Sequence, residues 1–232
     1  MTRADRRIRA AVFDLDDTLF RERDYVRGGY AAVAAHLAGF DAALAGRMAA
    51  WMWRQFEAGR RGDVFDRLGE AFDLGLTPER VAALVEVYRR HEPSIRPCRG
   101  VPELLGRLRE AGLRLGLLSD GYLPAQELKL AATGLEGCFD EVVFTERLGR
   151  ESWKPSPRGF ELIRRRLSVP HVDCCYVADN PAKDFLAPNR LGWLTVQWRR
   201  PGQVHADSPA PEHGRPQRVI RTGPRLLGLL GL

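Results

Sequence analysis

Three carboxylates fall within four positions, Asp14, Asp16 and Asp17, directly after the apolar run Ala10-Ala11-Val12-Phe13. A buried strand that ends in acid has a charge problem, because like charges this close repel and none is readily desolvated. A divalent cation is the usual solution. Mg²⁺ takes few protein carboxylates, keeps several waters and accepts phosphate oxygens. In extended backbone Asp14 and Asp16 project to the same side. Both then face one point at the carboxyl end of a strand, where open α/β sheets bind their ligands. A plain turn or helix cap would use the same residue types, so the rest of the chain decides.

Three more polar clusters follow apolar runs. Ser119-Asp120-Gly121 follows Leu113–Leu118, Lys154 follows the short run Glu141–Phe144, and Asp179, with Asp184, follows Val172–Ala178. In a parallel sheet all carboxyl ends share one edge, so four separately coded clusters converge on one crevice. Two acidic clusters, a hydroxyl beside glycine and a lysine are not what unrelated loops would supply.

The elements that must position these groups are readable from periodicity. Ile8–Phe13 reads as the first strand, after a polar, fraying stretch at 1–7. Residues 21–92 read as helices only: one from Asp24 to Leu37 closed by Gly39, one over Ala42–Glu57, one over Val64–Phe72, and one opened by Thr77 as N-cap with Pro78 behind it. After the proline-containing connector 93–99, helix and strand alternate. Helices are expected at 101–111, 124–133, 157–167 and 182–191, and strands at 113–118, 141–144, 172–178 and 194–198. Near-continuous apolar strands in that alternation predict an α/β fold, a parallel sheet covered on both faces. Residues 199–216 read as a flexible loop, followed by an edge strand near 219–221 and a short helix at 226–230 packed on the core. The domain plan is therefore core at 1–20, a helical insert at 21–92, core again at 93–198, and the C-terminal loop, strand and helix at 199–232.

The length of 232 residues and the formal charge of +6 suit one to two globular domains. The basic excess is almost entirely arginine, and Lys129, Lys154 and Lys183 are the only lysines. Those arginines are scattered through helices without interleaved aromatics, which argues against a nucleic-acid partner. The four cysteines include no C-x-x-C spacing, and the histidines have no metal spacing. Nothing reads as a signal peptide or a membrane span, so a cytoplasmic protein with no membrane partner is expected.

The four clusters resemble the haloacid dehalogenase superfamily in its phosphatase branch, with a Rossmann-like core. Phe13-Asp14-Leu15-Asp16-Asp17-Thr18-Leu19, Leu117-Leu118-Ser119-Asp120-Gly121, Lys154-Pro155 and Tyr176-Val177-Ala178-Asp179-Asn180-Pro181 with Asp184 match its four motifs in order. Ala178 departs from the glycine common there. The resemblance implies Asp14 as nucleophile, forming an aspartyl-phosphate, and Asp16 as general acid and then base. It implies Ser119, with the N–H groups of Asp120 and Gly121, as phosphate holders and Lys154 as the charge-balancing cation. Mg²⁺ would sit on Asp14 and Asp179, with Asp184 a further ligand candidate and Asp16 contributing its backbone carbonyl. Thr18 would brace the first loop.

The same resemblance reads the insert as a C1-type helical cap that closes over the crevice. Arg21, Arg23, Tyr25, Arg27, Trp53, Arg54 and Tyr122 are then candidate pocket residues, and Trp51 is expected in the cap's own core. The implied activity is Mg²⁺-dependent hydrolysis of a small phosphorylated metabolite. A phosphomutase and a non-catalytic phospho-ligand-binding domain are the alternatives. A dehalogenase is disfavoured by Asp16, because halide leaves without a proton.

Overall fold

A computed structural model describes residues 7–232, so residues 1–6 of the polar N-terminal stretch lie outside the described residues. The chain divides into two compact units, Met1–Glu22 with Ile95–Leu232, and Arg23–Ser94.

The first unit is built on six strands: β1 (Ala10–Phe13), β2 (Arg114–Ser119), β3 (Glu141–Phe144), β4 (Cys174–Ala178), β5 (Leu194–Trp198) and β6 (Arg218–Ile220). They form one sheet in the order β3-β2-β1-β4-β5-β6, and all five pairings are parallel. Val12 pairs with Gly116 on one side and Tyr176 on the other, so β1 lies between the strands that carry the second and fourth clusters. Strand order reverses beside β1, which opens a crevice at the carboxyl edge there.

The strands are short apolar runs buried on both faces, as parallel sheets require. On one face Val12, Leu118, Cys174 and Tyr176 pack with Phe160, Ile163 and Leu167 of a covering helix, and with Trp193. Phe160 meets Tyr176 and Trp193 edge-on at centroid distances of 4.8 and 5.6 Å, the arrangement aromatic quadrupoles favour. That helix comes close because Gly159 has no side chain: a Cβ there would stand 2.8 Å from Leu118 Cδ1.

Two expected elements are shorter than their apolar runs. The fourth strand starts at Cys174 because residues 171–173 wind into a single 3₁₀ turn. The helix expected from 182 is confined to Leu186–Arg190. The Asn180 side chain accepts the Ala182 N–H at 3.0 Å, and the Asn180 carbonyl accepts the Asp184 N–H at 3.1 Å. Asn180-Pro181 thus makes a turn where a helix would start.

The second unit is all-helical: α1 (Glu22–Ala38, whose first residue closes the first unit), α2 (Ala42–Glu57), α3 (Val64–Ala71) and α4 (Pro78–Arg90). Asp41 and Thr77 cap α2 and α4 by accepting the N–H groups of Leu44 at 2.8 Å and Arg80 at 3.4 Å. Tyr30, Val33, Met48, Met52, Phe65 and Leu68 are buried within this unit. Trp51 is half-buried and meets Phe72 edge-on at 6.3 Å. Arg23 and Arg27 lie over the Trp53 ring, 5.3 and 4.2 Å from its centroid, and Arg23 also pairs with Glu57 at 3.4 Å. Tyr25 is buried.

The remaining helices belong to the first unit: α5 (Val101–Glu110), α6 (Leu123–Thr133), α7 (Arg158–Leu167), which is the helix that carries Phe160, α8 (Leu186–Arg190) and α9 (Gly223–Leu230).

Candidate active site

Asp14 follows β1, and its N–H donates to the Val177 carbonyl of β4 at 3.0 Å, extending the ladder by one residue past the strand. That bond fixes the Asp14 carboxylate beside the end of β4, where Asp179 stands. The turn at Asn180 brings Asp184 back to the same place, and its Oδ2 accepts the Asn180 N–H at 3.0 Å. Ligand oxygens of Asp14, Asp179 and Asp184 all lie within 4.8 Å of one another, and all three residues are buried.

Lys154 arrives from the loop after β3. Its backbone N–H donates to the Asp120 carboxylate at 3.1 Å, which also accepts the Thr145 hydroxyl at 2.7 Å. Its buried ammonium stands 2.6 Å from Asp14 Oδ1, 2.9 Å from Asp184 Oδ1 and 3.0 Å from the Tyr176 hydroxyl. Burial pushes the Asp14 carboxyl up to about 6, against the pull of Lys154. Burial, then Asp184 and Asp14, pushes Asp179 well above the ordinary carboxylate range. Burial works against the Lys154 ammonium, but Asp14 and Asp184 outweigh it and hold its pKa well above the usual value.

This cluster fits a divalent cation. Three carboxyl groups converge here, and among the described residues a single ammonium, that of Lys154, touches any of them, so the cluster has room for further positive charge. Asp179 Oδ2 is buried and accepts no hydrogen bond, a costly state for a carboxylate oxygen unless a cation takes it. An all-oxygen donor set suits Mg²⁺.

Asp16 is placed differently. Its side chain is not part of the three-carboxylate cluster. Oδ1 accepts from the Lys129 ammonium at 2.7 Å and Oδ2 from the Gln126 amide at 3.2 Å. The sequence expectation gave the metal the Asp16 backbone carbonyl and gave the side chain proton transfer instead. Ser119 is buried and donates its hydroxyl to Gln126 Oε1 at 3.3 Å. Gly121 has φ 130°, a left-handed backbone that favours glycine.

These groups surround a cleft of about 400 Å³ lined by Asp14, Asp16, Asp120, Asp179, Lys129, Lys154, Lys183 and Gln126, together with Glu22, Trp153, Asn180 and His205. Ser119, Gly121, Asp184 and Tyr122 are not among its lining residues. All three lysines of the chain line this one cleft.

The segment after β5 has no regular element through residue 217, yet it grips the loop that follows β1. Gln203 donates its amide to the Asp17 carbonyl at 2.7 Å, the Val204 N–H donates to Asp17 Oδ2 at 2.6 Å, and Arg200 donates to the Thr18 carbonyl. Asp17 itself has φ 52°, and its other oxygen accepts the Glu22 N–H at 2.8 Å. Burial pushes the Asp17 carboxyl up, against those two backbone donors. Arg200 lies flat on Trp198, 3.6 Å from the ring centroid.

A family model described as haloacid dehalogenase-like hydrolase matches residues 8–192. The chain belongs to that family. A glyceraldehyde 3-phosphate phosphatase of Methanopyrus kandleri is 32% identical over 202 residues, spanning 83% of this chain and 84% of the relative. Pyrophosphatase PpaX of Bacillus velezensis is 26% identical over 220 residues, spanning 90% and 92%. Among solved structures, a family hydrolase from Deinococcus radiodurans R1 with bound phosphate and sodium superposes with a TM-score of 0.69 at 22% identity, covering 98% of this chain and 96% of that one. The α/β core and the hydrolase family inferred from the four motifs are those found.

Sequence reasoning missed Glu22, Gln126, Lys129, Lys183 and the grip of residues 200–204 on the loop that follows β1. One signal was present for two of them. Gln126, Lys129 and Thr133 are polar at helical spacing, and all three are buried on α6.

Proposed function

We propose that this hydrolase is a Mg²⁺-dependent phosphatase that cleaves a small phosphomonoester through an aspartyl-phosphate. The observation that carries the reading is the Lys154 ammonium between Asp14 and Asp184, beside an Asp179 oxygen that lacks any donor. In the first half-reaction Asp14 attacks phosphorus, the ester P–O bond breaks, and Asp16 gives its proton to the departing oxygen. In the second, Asp16 takes a proton from water as that water attacks phosphorus, the Asp14–P bond breaks and phosphate leaves. The N–H groups of Asp120 and Gly121 would hold phosphate oxygens, joined by Ser119 on a turn of its hydroxyl away from Gln126. Asp14, Asp179 and Asp184, with the Asp16 carbonyl, would hold Mg²⁺, which when bound would supply the charge that screens the phosphate from the nucleophile.

We assign the helical unit the role of cap, the part that chooses among phosphate esters. The relatives are named for a triose phosphate and a pyrophosphate, which supports a small phosphorylated metabolite as substrate. A cytoplasmic setting agrees with the four cysteines being in no disulfide among the described residues, and no helix among the described residues is long and apolar enough to cross a membrane.

The test is phosphate release from triose phosphates, other sugar phosphates, phosphoserine and nucleotides, with wild type and Asp14→Asn, in Mg²⁺ and in EDTA. Release that needs both Mg²⁺ and Asp14 is expected. Release that survives Asp14→Asn would overturn the reading.

A further inference from the structure

We propose that Lys129, with Gln126 beside it, is a positioning residue that holds Asp16 for proton transfer to the departing ester oxygen. The proposal rests on the reading of Asp16 as general acid and goes beyond it, because the residues that do the holding lie outside the four motifs. Both oxygens of Asp16 are held from consecutive turns of one helix, Oδ1 by the Lys129 ammonium at 2.7 Å and Oδ2 by the Gln126 amide at 3.2 Å. The Lys129 side chain is 9% exposed and that of Asp16 21% exposed, so the pair sits at the cleft wall and is poorly screened by solvent.

Gln126 is itself fixed. Its Oε1 accepts from the Ser119 hydroxyl, so its amide nitrogen is the end that meets Asp16. The side chain fills the space that Gly121 leaves open: a Cβ at Gly121 would stand 2.4 Å from Gln126 Nε2. The second motif and the Asp16 carboxylate are thereby joined through α6.

Packing alone does not explain these residues. The buried positions of α6 around them include Ala125 and Leu130, and apolar side chains of similar volume often replace a buried ion pair without loss of stability. What an apolar pair would not do is fix the direction of a carboxylate. The choice of lysine fits the same role. The chain uses arginine at every other basic position outside the cleft. A planar guanidinium would span both Asp16 oxygens, whereas a compact ammonium takes one and leaves the second to Gln126 and the cleft.

A leaving group that departs without a proton separates positioning from damage. We would measure kcat/KM, which reports the first half-reaction, toward glycerol 2-phosphate and toward p-nitrophenyl phosphate, whose phenolate needs no acid. Lys129→Met is expected to lower the glycerol 2-phosphate value at least about tenfold and to leave the p-nitrophenyl phosphate value within about threefold. The intact aryl activity then shows that the variant is folded, and Lys129→Gln carries the same test should Lys129→Met fail to fold. Equal losses on both esters, or no loss on either, would overturn the proposal.

Asp16→Asn calibrates the split. If it splits the two esters and Lys129→Met does not, the positioning proposal fails alone. If Asp16→Asn shows no split, or wild type hydrolyses neither ester, the acid reading fails and takes the proposal with it.

Discussion

Replacing Lys154 by methionine removes the one ammonium that touches both Asp14 and Asp184 while keeping most of the side-chain volume. The structure fixes both the size and the pH dependence of the outcome. Breaking a buried pair from one side costs about 3–5 kcal/mol. For a protein of this size each kcal/mol is worth roughly 2–4 °C in Tm, so a drop of about 6–20 °C is expected at pH 7.5 in EDTA. The Lys154 pKa is raised on folding, so its stabilising contribution is fully present below the unfolded value and lost only at strongly alkaline pH. Across pH 4–8 Lys154 keeps its charge, so what it contributes changes only as its partner acids titrate. Asp14 moves from 3.8 to about 6 on folding, and Asp179 moves in the same direction. A raised acid binds its proton more tightly in the folded state, so it destabilises increasingly as pH climbs from the unfolded value through the folded one. Without Lys154 that rise steepens. The gap in Tm between wild type and Lys154→Met is therefore small near pH 4, where the carboxyls are protonated, and complete near pH 8. Thermal unfolding followed by circular dichroism at pH 4.5, 6 and 7.5 measures it. A gap that is the same at all three values, or absent at pH 7.5, would refute the charge argument and leave Lys154 as a packing residue.

The carboxylate cluster predicts a metal effect on stability as well as on turnover. The gain in Tm from added Mg²⁺ over EDTA grows from pH 5 to pH 8, and relief of the Asp14 shift alone can contribute up to about 3 kcal/mol; a gain independent of pH would contradict it. Asp179→Asn is expected to raise the Mg²⁺ concentration needed for half-maximal activity at least about tenfold, read from a metal titration of phosphate release. Gln203→Ala, which removes the donor to the Asp17 carbonyl, should cost about 1–3 kcal/mol in urea unfolding and lower kcat/KM for every ester alike. Gly159→Val drives a side chain into Leu118 and Thr145 and should cost about 1–3 kcal/mol or more, with KM nearly unchanged in the folded fraction.

The parts legible in the sequence are those in which one local pattern carries both the element and the chemistry. Asp14, Lys154 and Asp179 each close an apolar run or the loop after one, so finding the strand also finds the site edge. The parallel register then brings them together without further information. Lys129 and Gln126 were hidden because their helix reads as an ordinary covering helix, and which of its faces meets Asp16 depends on packing across more than a hundred residues of sequence. Residues 199–217 were hidden for another reason. Their composition is that of a loop, and the bonds they make run to a carbonyl, a carboxylate and a second carbonyl of the loop that follows β1, none of which leaves a periodic trace.

Charge compensation divides the acids of the site in a way their spacing does not show. Asp14 and Asp16 are two residues apart and, as strand neighbours of equal type, read alike. In the structure one is buried among two more carboxyl groups with a single ammonium in contact, and the other is held through both oxygens by α6. The first arrangement has room for a cation, and the second has its donors already. That asymmetry agrees with the nucleophile and acid–base roles proposed for the two. A nucleophile must tolerate a phosphate dianion at its side, which calls for added positive charge, whereas an acid–base group must keep its direction while its own charge changes, which calls for fixed donors. A Mg²⁺ titration of the Asp16→Asn protein separates the two: binding close to that of wild type is expected, because the substituted side chain is outside the cation cluster, and binding weakened as far as in Asp14→Asn would show that the two carboxylates share one ion after all.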